Sequence, residues 1–346
     1  MSKSTHLKHL GRSLLAASML AMASASLSGA AAAAEIVTVD NFVRAETDEI
    51  MKAYVKAGGF GKFVHFREPT PLDKQDVVRM NRDTLYSMAV IDMTQPVTLI
   101  KPESDRFQSF LLINQDHSML PVIHEDGTFT IPPAFVKTRY LIVVVRTFVD
   151  ANDPNDVAKA NALQDELKVI QDDPGSFEIP EWDQSSLETV REAIKTLANT
   201  RTDTSPYFGQ KALLNPLYHL LGTAAGWGGN PPEGAMYALG FVEKNDGKTP
   251  YTVTVKDVPV NGFWSLTVYN AKGYMEPNEL GTNSLNNVSA KTNDDGSYTI
   301  NFGGCDDGRI NCIPIMEGWN YAVRMYQPRE EILTGSWTFP KFTEAK

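Results

Sequence analysis

Apolar residues recur at helical spacing in NFVRAETDEIMKAYVKAG, residues 41–58, and the pattern stops at Gly58-Gly59, a pair suited to ending a helix. Between residues 75 and 150 the period changes. Val77-Val78, LYSMAVI, VTLI, FQSFLLI, FTI and YLIVVV are short β-prone runs separated by Pro, Gly, Asp and Ser, which predicts an antiparallel β-domain. Asp126-Gly127, between VIHE and TFTI, has the chemistry of a two-residue hairpin turn. Helical spacing returns over 154–222. PNDVAKANALQDELKVI starts behind Asp153-Pro154. SSLETVREAIKTLANT offers Ser185-Ser186 as a cap with Glu188 near the third position. QKALLNPLYHLLGTA is broken or kinked at Pro216. Beyond Gly226 strands return as MYALGFV, YTVTV, FWSLTVYN, SYTINF and YAVRMY, with turn signals at Asn245-Asp246-Gly247, Asn261-Gly262 and Asp294-Asp295-Gly296. The expected fold is mainly β with helical additions: two antiparallel β-sandwich or jelly-roll-like domains joined by a helical connector. The expected boundaries are 35–153 for the N-terminal β-domain with its leading helix, 154–225 for the connector and 226–346 for the C-terminal sandwich.

The first 34 residues stand apart from this pattern. Lys3, Lys8 and Arg12 precede the apolar run LLAASMLAMASASL, and Ala31 to Ala34 supply small residues for cleavage, which reads as a signal peptide cut near Ala34. The run is too short to span a bilayer comfortably, and no later run of roughly eighteen apolar residues follows. A periplasmic or secreted protein without membrane insertion is expected. Removing residues 1–34 takes away three cations and no acid, so the formal charge moves from −10 to −13. Such a surface repels nucleic acid. Cys305 and Cys312, in GGCDDGRINCIP, are expected to form a disulfide in an oxidising compartment.

The chain has no G-x-S-x-G elbow, Walker loop, H-E-x-x-H or helix-opening G-x-G-x-x-G, which lowers the case for the commonest hydrolases and nucleotide binders. Four histidines follow the leader: His65, His117, His124 and His219. Asp116-His117 and His124-Glu125 place two imidazoles and two carboxylates between Asn114 and Asp126. Three readings stand side by side: His117 as a general base oriented by Asp116, His117 and His124 with a carboxylate as ligands of a divalent metal ion, or a strand end and a turn held by hydrogen bonds. His219, in PLYHLL, reads as a core or interface residue. Along FWSLTVYN and GWNYAVRMY one face is apolar core by period two. The other face carries Ser265, Thr267 and Tyr269, and Asn320, Arg324 and Tyr326, which could line a cleft, meet solvent or meet a partner. Arg324 suits a carboxylate ligand. In MNRDTLYS, residues 80–87, Asn81-Arg82-Asp83 reads as a turn, a surface ion pair or a buried polar network.

MNRDTLYS followed by VIDM, then DRFQSFLLINQDH and RTFVDANDPND, resembles the domain of unknown function 1254. GWGGNPPEGAMY, VPVNGFWSLTVYNAKGY, NDDGSYTINFGGC, CIPIMEGWNYAVRMYQPR and GSWTFP resemble its C-terminal companion, the domain of unknown function 1214. The resemblance covers nearly all of the chain after the leader. It implies jelly-roll-type sandwiches with helical additions in a secreted bacterial family. It carries over motif membership for Asn81, Arg82, Asp83, Thr84 and Tyr86 and for Asn114, Gln115, Asp116 and His117, and no agreed catalytic role.

If LYSMAVID, VTLI and FQSFLLI form a plain meander, Asp83 and His117 fall at opposite ends of the sheet, ~25 Å apart at about 3.3 Å per residue. The expected function is a secreted, hydrolase-like enzyme acting on a small polar or carboxylated molecule. His117 is the expected general base, with Asp116, Asp83 and Arg82 as further catalytic candidates and Asn114, Tyr86, Arg324 and Tyr269 for substrate. The alternative is a non-catalytic ligand-binding or assembly β-sandwich protein. A divalent metal is the only cofactor the residues suggest, and a homo-oligomer is expected because helical additions on a sandwich need a surface to cover.

Overall fold

The computed structural model describes residues 33–75, 78–201 and 203–345, so the leader up to residue 32 lies outside the described residues. The longest apolar run, YLIVVVRTF, becomes β6 (Tyr140–Phe148), buried at every position. It sits inside a four-stranded antiparallel sheet in the order β1 (Val64–Phe66), β2 (Thr84–Asp92), β6, β4 (Gln108–Asn114). A second sheet, in the order β5 (Gly127–Ile131), β3 (Val97–Lys101), β7 (Lys168–Ile170), covers one face. Leu99, Phe110, Leu112, Val143 and Val145 pack in the core between them. The other face of the first sheet offers Met88, Val90, Leu111, Ile113, Ile142 and Val144, and Met51 of α1 (Phe42–Lys56) packs on it. A strand buried on both sides reads as a continuous apolar run, which is why β6 shows no alternation.

The C-terminal sandwich is built the same way. One sheet has the order β11 (Ser284–Asn286), β10 (Trp264–Tyr269), β14 (Asn320–Tyr326), β8 (Ala235–Gly240). The other has the order β13 (Cys312–Ile313), β12 (Tyr298–Phe302), β9 (Tyr251–Val255), β15 (Thr343–Glu344). Trp264, Leu266, Val268, Val323 and Met325 meet Val253, Val255, Ile300 and Phe302 between them. The pairing is antiparallel except for β12 with β13, beside the Cys305–Cys312 disulfide. Two short helices, α2 (Pro133–Val136) and α6 (Glu330–Leu333), sit within the β-segments.

Three longer helices occupy the connector: α3 (Pro154–Asp165), α4 (Gln184–Ala198) and α5 (Pro216–Gly226). Phe42 and Ala45 of α1 pack with Leu187 and Ile194 of α4 and Leu221 of α5. Several local expectations change. Pro216 starts a helix rather than kinking one, because Asn215 caps it and proline tolerates the first helical position. Asp183, not the serine pair, caps α4 by accepting from Ser186 N. The connector is not wholly helical, since β7 returns to pair with β3. Asp126-Gly127 makes no hairpin. Ile123 bridges to Phe110 in one sheet and β5 pairs with β3 in the other, so the turn is a corner between sheets. The Asp126 carboxylate holds that corner by accepting from Lys101 Nζ and Ser104 N.

Residues 34–346 form one compact unit, and MNRDTLYS is where its two sandwiches are joined. Asn81 Nδ2 donates to Tyr326 Oη at 2.9 Å and to Thr84 Oγ1 at 2.9 Å, and Asn81 Oδ1 accepts from Asp83 N at 2.9 Å. Ser284 Oγ and Asn286 Nδ2 donate to the Asp83 carboxylate at 3.0 and 3.3 Å. Tyr269 Oη donates to Met80 O at 2.8 Å, and Arg324 Nη2 donates to Arg79 O at 2.7 Å. Removing Asn81's side chain leaves Asp83 N and the facing hydroxyls without their partner in a buried setting. Asn81→Leu should therefore cost about 1–3 kcal/mol per stranded group, read as a lowered urea midpoint. An unchanged midpoint would mean the junction does not depend on this side chain.

Candidate active site

A cleft of ≈ 720 Å³ opens between the two sandwiches. Its walls are largely apolar: Met88 and Val144 from the N-terminal sheet, Phe208 ahead of α5, and Trp227 just after it. Gly228 and Gly229 let this loop pack closely. A Cβ on Gly229 would lie 2.3 Å from the Phe208 ring, and Gly228 has φ +74. The polar lining comes from both domains: Asn81, Thr84, Tyr86 and Arg146 from one, Tyr237, Arg324 and Tyr326 from the other.

Arg146 is the feature to explain. It is 7 % exposed and lies on the face of β6 that also carries Ile142 and Val144. Its guanidinium donates to two neutral acceptors, Asn230 Oδ1 at 3.1 Å and Gly228 O at 2.7 Å. Tyr86 lies directly opposite it across the β2–β6 pair, and the guanidinium carbon is 5.5 Å from the Tyr86 ring centre. No carboxylate pairs with Arg146 among the described residues. Burial disfavours its charge, but Tyr86, Tyr237 and Tyr326 outweigh this and hold its pKa above the usual arginine value. Burial likewise pushes the Tyr86 phenol up, but the Arg146 charge and the polar side chains of Thr84 and Asn81 outweigh it, so its pKa lies below the ordinary tyrosine value. Tyr326 is pushed well above that value by burial and by the neighbouring phenols of Tyr237 and Tyr86. Two phenols in one cleft are thus driven in opposite directions.

The second sequence cluster lies behind this cleft. Along β6, Thr84 is level with Phe148 and Asn114 with Leu141. The seven-residue offset is about 23 Å. Asp83 and His117 therefore do sit at opposite ends, although β6, rather than β3, is the strand between β2 and β4. His117 is fully buried. Its Nε2 accepts from Gly228 N at 3.0 Å, so the proton sits on Nδ1, which donates to Thr223 Oγ1 at 2.8 Å. The ring stacks between His219 and Trp227, with centroids 5.4 and 5.3 Å away. Asp116 does not orient it: that carboxylate pairs with Arg44 and Lys211. Asn114 is a turn brace, accepting from Asp116 N and Ser118 N and donating to Val136 O.

The remaining candidates divide in two. Tyr86 and Arg324 line the cleft. Arg82 and Asp83 instead line a separate small cavity beside Asp150 and Ser284, with Arg82 bonded to Thr70 O. Tyr269 is fully buried and spent on Met80 O and Arg324. Burial raises the Asp83 pKa, against the Arg324 charge and the hydrogen bonds from Asn286 and Ser284. His117 and His124 are not brought together. After Ile113 pairs with Met119, the chain runs back along β4 to Phe110, and His124 lies beyond that level, packed on Phe107. Among the described residues no group of three or more His, Cys, Asp or Glu side chains could hold a metal ion. His124 faces a second groove of ≈ 560 Å³, in whose lining Lys101 pairs with Asp126 and Arg106 with Asp156.

The sequence reading missed Arg146, Trp227 and Gly228. The signal was present for Arg146: a cation inside YLIVVVRTF, a run with no polar face to receive it.

A family model described as protein of unknown function DUF1254 matches residues 60–126, and one described as protein of unknown function DUF1214 matches residues 235–330. The chain carries both segments in the N-to-C order that the resemblance implied. No curated protein matches it. Among solved structures it is similar to the VPA0106 protein from Vibrio parahaemolyticus, with TM-score 0.64 and 18% identity over 89% of this chain and 100% of that one. An uncharacterized protein from Burkholderia cenocepacia aligns with TM-score 0.46 and 14% identity over 88% of each chain. The Vibrio likeness shows the fold. Among the described residues no helix is long and apolar enough to cross a membrane.

Burial and the charge of His219 hold the His117 pKa well below the ordinary histidine value. A depressed pKa contributes stability that is fully present above the unfolded value of about 6.5 and lost as pH falls below it. His65, His124 and His219 are also held low by burial and add to this loss. His117→Gln keeps one donor and one acceptor without the titration. Urea unfolding between pH 7 and 5 should show a slope shallower than wild type by up to about 1.4 kcal/mol per pH unit; parallel slopes would refute the assignment.

Proposed function

We propose that the cleft binds a small organic anion with an apolar body, a carboxylate being the simplest member of that class. One observation carries this reading: Arg146 is buried in an apolar wall, and among the described residues it has no carboxylate partner. An isolated buried charge is costly, and neutral acceptors offset only part of that cost. A ligand carboxylate would complete the pairing with a charge-assisted hydrogen bond. The rest of the described lining agrees in sign. Lys74, Arg79, Arg146 and Arg324 face one carboxylate, that of the exposed Glu68, in a chain whose formal charge is −10. Phe208 and Trp227 suit an aromatic or aliphatic body.

Hydrolysis with His117 as general base has less support. Both ring nitrogens are committed to Thr223 and Gly228, and the imidazole is outside the described lining of the cleft. Its geometry suits positioning: it holds the N–H of Gly228, the residue whose carbonyl holds Arg146. Export follows from the leader, and the Cys305–Cys312 bond is in keeping with an oxidising compartment.

Calorimetric titration tests the ligand class. Benzoate, phenylacetate and 3-phenylpropionate should each be compared with its primary amide. A charged hydrogen bond worth about 1.5–3 kcal/mol corresponds to roughly ten- to a hundred-fold tighter binding of the acid, and Arg146→Met should abolish the difference. Equal binding of acid and amide, or no binding by any acid, would sink the proposal.

A further inference from the structure

We propose that Tyr86 is the proton-transfer residue of this cleft, taking the α-hydrogen of a carboxylate held on Arg146. The proposal rests on the anion reading above and goes beyond it, from binding to a reaction class.

The geometry starts with strand register. Tyr86 and Arg146 are direct cross-strand partners, so their side chains leave the sheet side by side on the same face. Both line the cleft, and Thr84, two residues before Tyr86 on the same strand, lines it too. A carboxylate that takes a free guanidinium hydrogen has its α-carbon only two bonds from the bonded oxygen. The Tyr86 ring lies beside the same guanidinium, 5.5 Å from its carbon to the ring centre, so the phenol faces the space next to a carboxylate anchored there.

The other two phenols are placed differently. Asn81 donates to Tyr326 Oη, and Asn230 donates to Tyr237 Oη. Ionisation is made harder at Tyr326 and easier at Tyr86. Two phenols in one site, set apart by environment, are the arrangement that acid–base chemistry needs.

The step balances without an added oxidant or reductant. The α C–H bond breaks and its hydrogen forms the Tyr86 O–H bond. The electron pair moves into the bond between the α-carbon and the carboxylate carbon, giving an enediolate. The added charge appears on the oxygens beside Arg146, where a fixed cation stabilises it most. Return of a proton to carbon restores the carboxylate. If the phenol exchanges with solvent first, the hydrogen returned is a solvent hydrogen.

That exchange is the assay. Wild-type protein is incubated in D2O with phenylacetate and 3-phenylpropionate, and the α-hydrogen signal is followed by proton NMR, with binding measured in parallel by calorimetry. The expected result is catalysed loss of the α-hydrogen signal. Tyr86→Phe should lower its rate by ~10²–10⁴-fold, the range of a positioned acid–base group, with affinity kept within about threefold. Thr84→Val, which removes a hydroxyl of the cleft lining and keeps the phenol, should give a smaller loss. Binding without any exchange in wild type overturns the proposal and leaves the anion reading standing, as does exchange by Tyr86→Phe at the wild-type rate. If neither acid binds, both fall.

Discussion

The structure depends on the buried polar junction between the two sandwiches. Each domain places part of a sheet face against the other, and beside the aromatic cluster of Phe107, Phe148 and Phe263 those faces carry polar groups. Met80 and Arg79 present carbonyls, Asp83 a carboxylate, and Asn81 an amide. The facing domain answers with Tyr269, Arg324, Ser284, Asn286 and Tyr326. A buried polar group costs most when its partner is missing, so such a network tolerates one relative placement of the domains and penalises neighbouring ones. Asp83 makes the constraint sharp. At 3 % exposure its carboxyl is pushed up by burial, with the Arg324 charge and the hydrogen bonds from Ser284 and Asn286 opposing. Neither domain could present its half of this network dry on its own.

The cleft follows from that constraint. The junction fixes the sheets at the MNRD end, and α5 with the loop after it forms another wall. Between them the faces of β6 and β14 cannot meet, and Arg146 is left in the gap. Its position is then set by one residue, through the two peptide groups that flank its Cα. Gly228 donates its N–H to His117 and accepts Arg146 through its carbonyl. Thr223 fixes the imidazole tautomer that makes His117 an acceptor at Nε2. Protonating His117 would replace that acceptor by a donor facing a donor, so the neutral ring is a structural requirement of the wall. A histidine can matter to a site in this way while never touching what binds there.

Much of this was legible in the chain. The change of period at residue 75, the helical block and the return of strands after Gly226 set the fold class, because burial of one face imposes period two on a strand and 3.6 on a helix. Tyr86 and Arg324 were picked out and do reach one cleft. What was not legible depends on which sheet a strand joins. Asp126-Gly127 has hairpin chemistry, but local turn preference is worth little against two hydrophobic faces that claim the flanking segments separately. Asp116 and His117 are adjacent in sequence, and adjacent residues on a turn point apart, so the carboxylate found Arg44 and the imidazole found Thr223. Arg146 was hidden by its neighbours. A run buried on both faces shows no period, so nothing marked the side on which its one charge would emerge.

The two arginines show why the cleft has a polarity. Each domain supplies a tyrosine–arginine cross-strand pair: Tyr86 opposite Arg146 on β2–β6, and Tyr237 opposite Arg324 on β8–β14. The local chemistry is the same, yet the fates differ. Arg324 donates to Thr267, Tyr269 and the carbonyls of Arg79 and Met80, with Asp83 nearby to balance its charge. It is consumed by the junction. Arg146 holds one side-chain amide and one carbonyl, and the phenol it lowers belongs to its own strand pair. Its charge is thus positioned by the fold with no carboxylate among the described residues to neutralise it. A fixed cation in a low-dielectric wall interacts with an anion far more strongly than a solvated one does, while the acidic surface outside disfavours anions in general. Such a cleft discriminates by shape and contact at Arg146, since long-range attraction does not help.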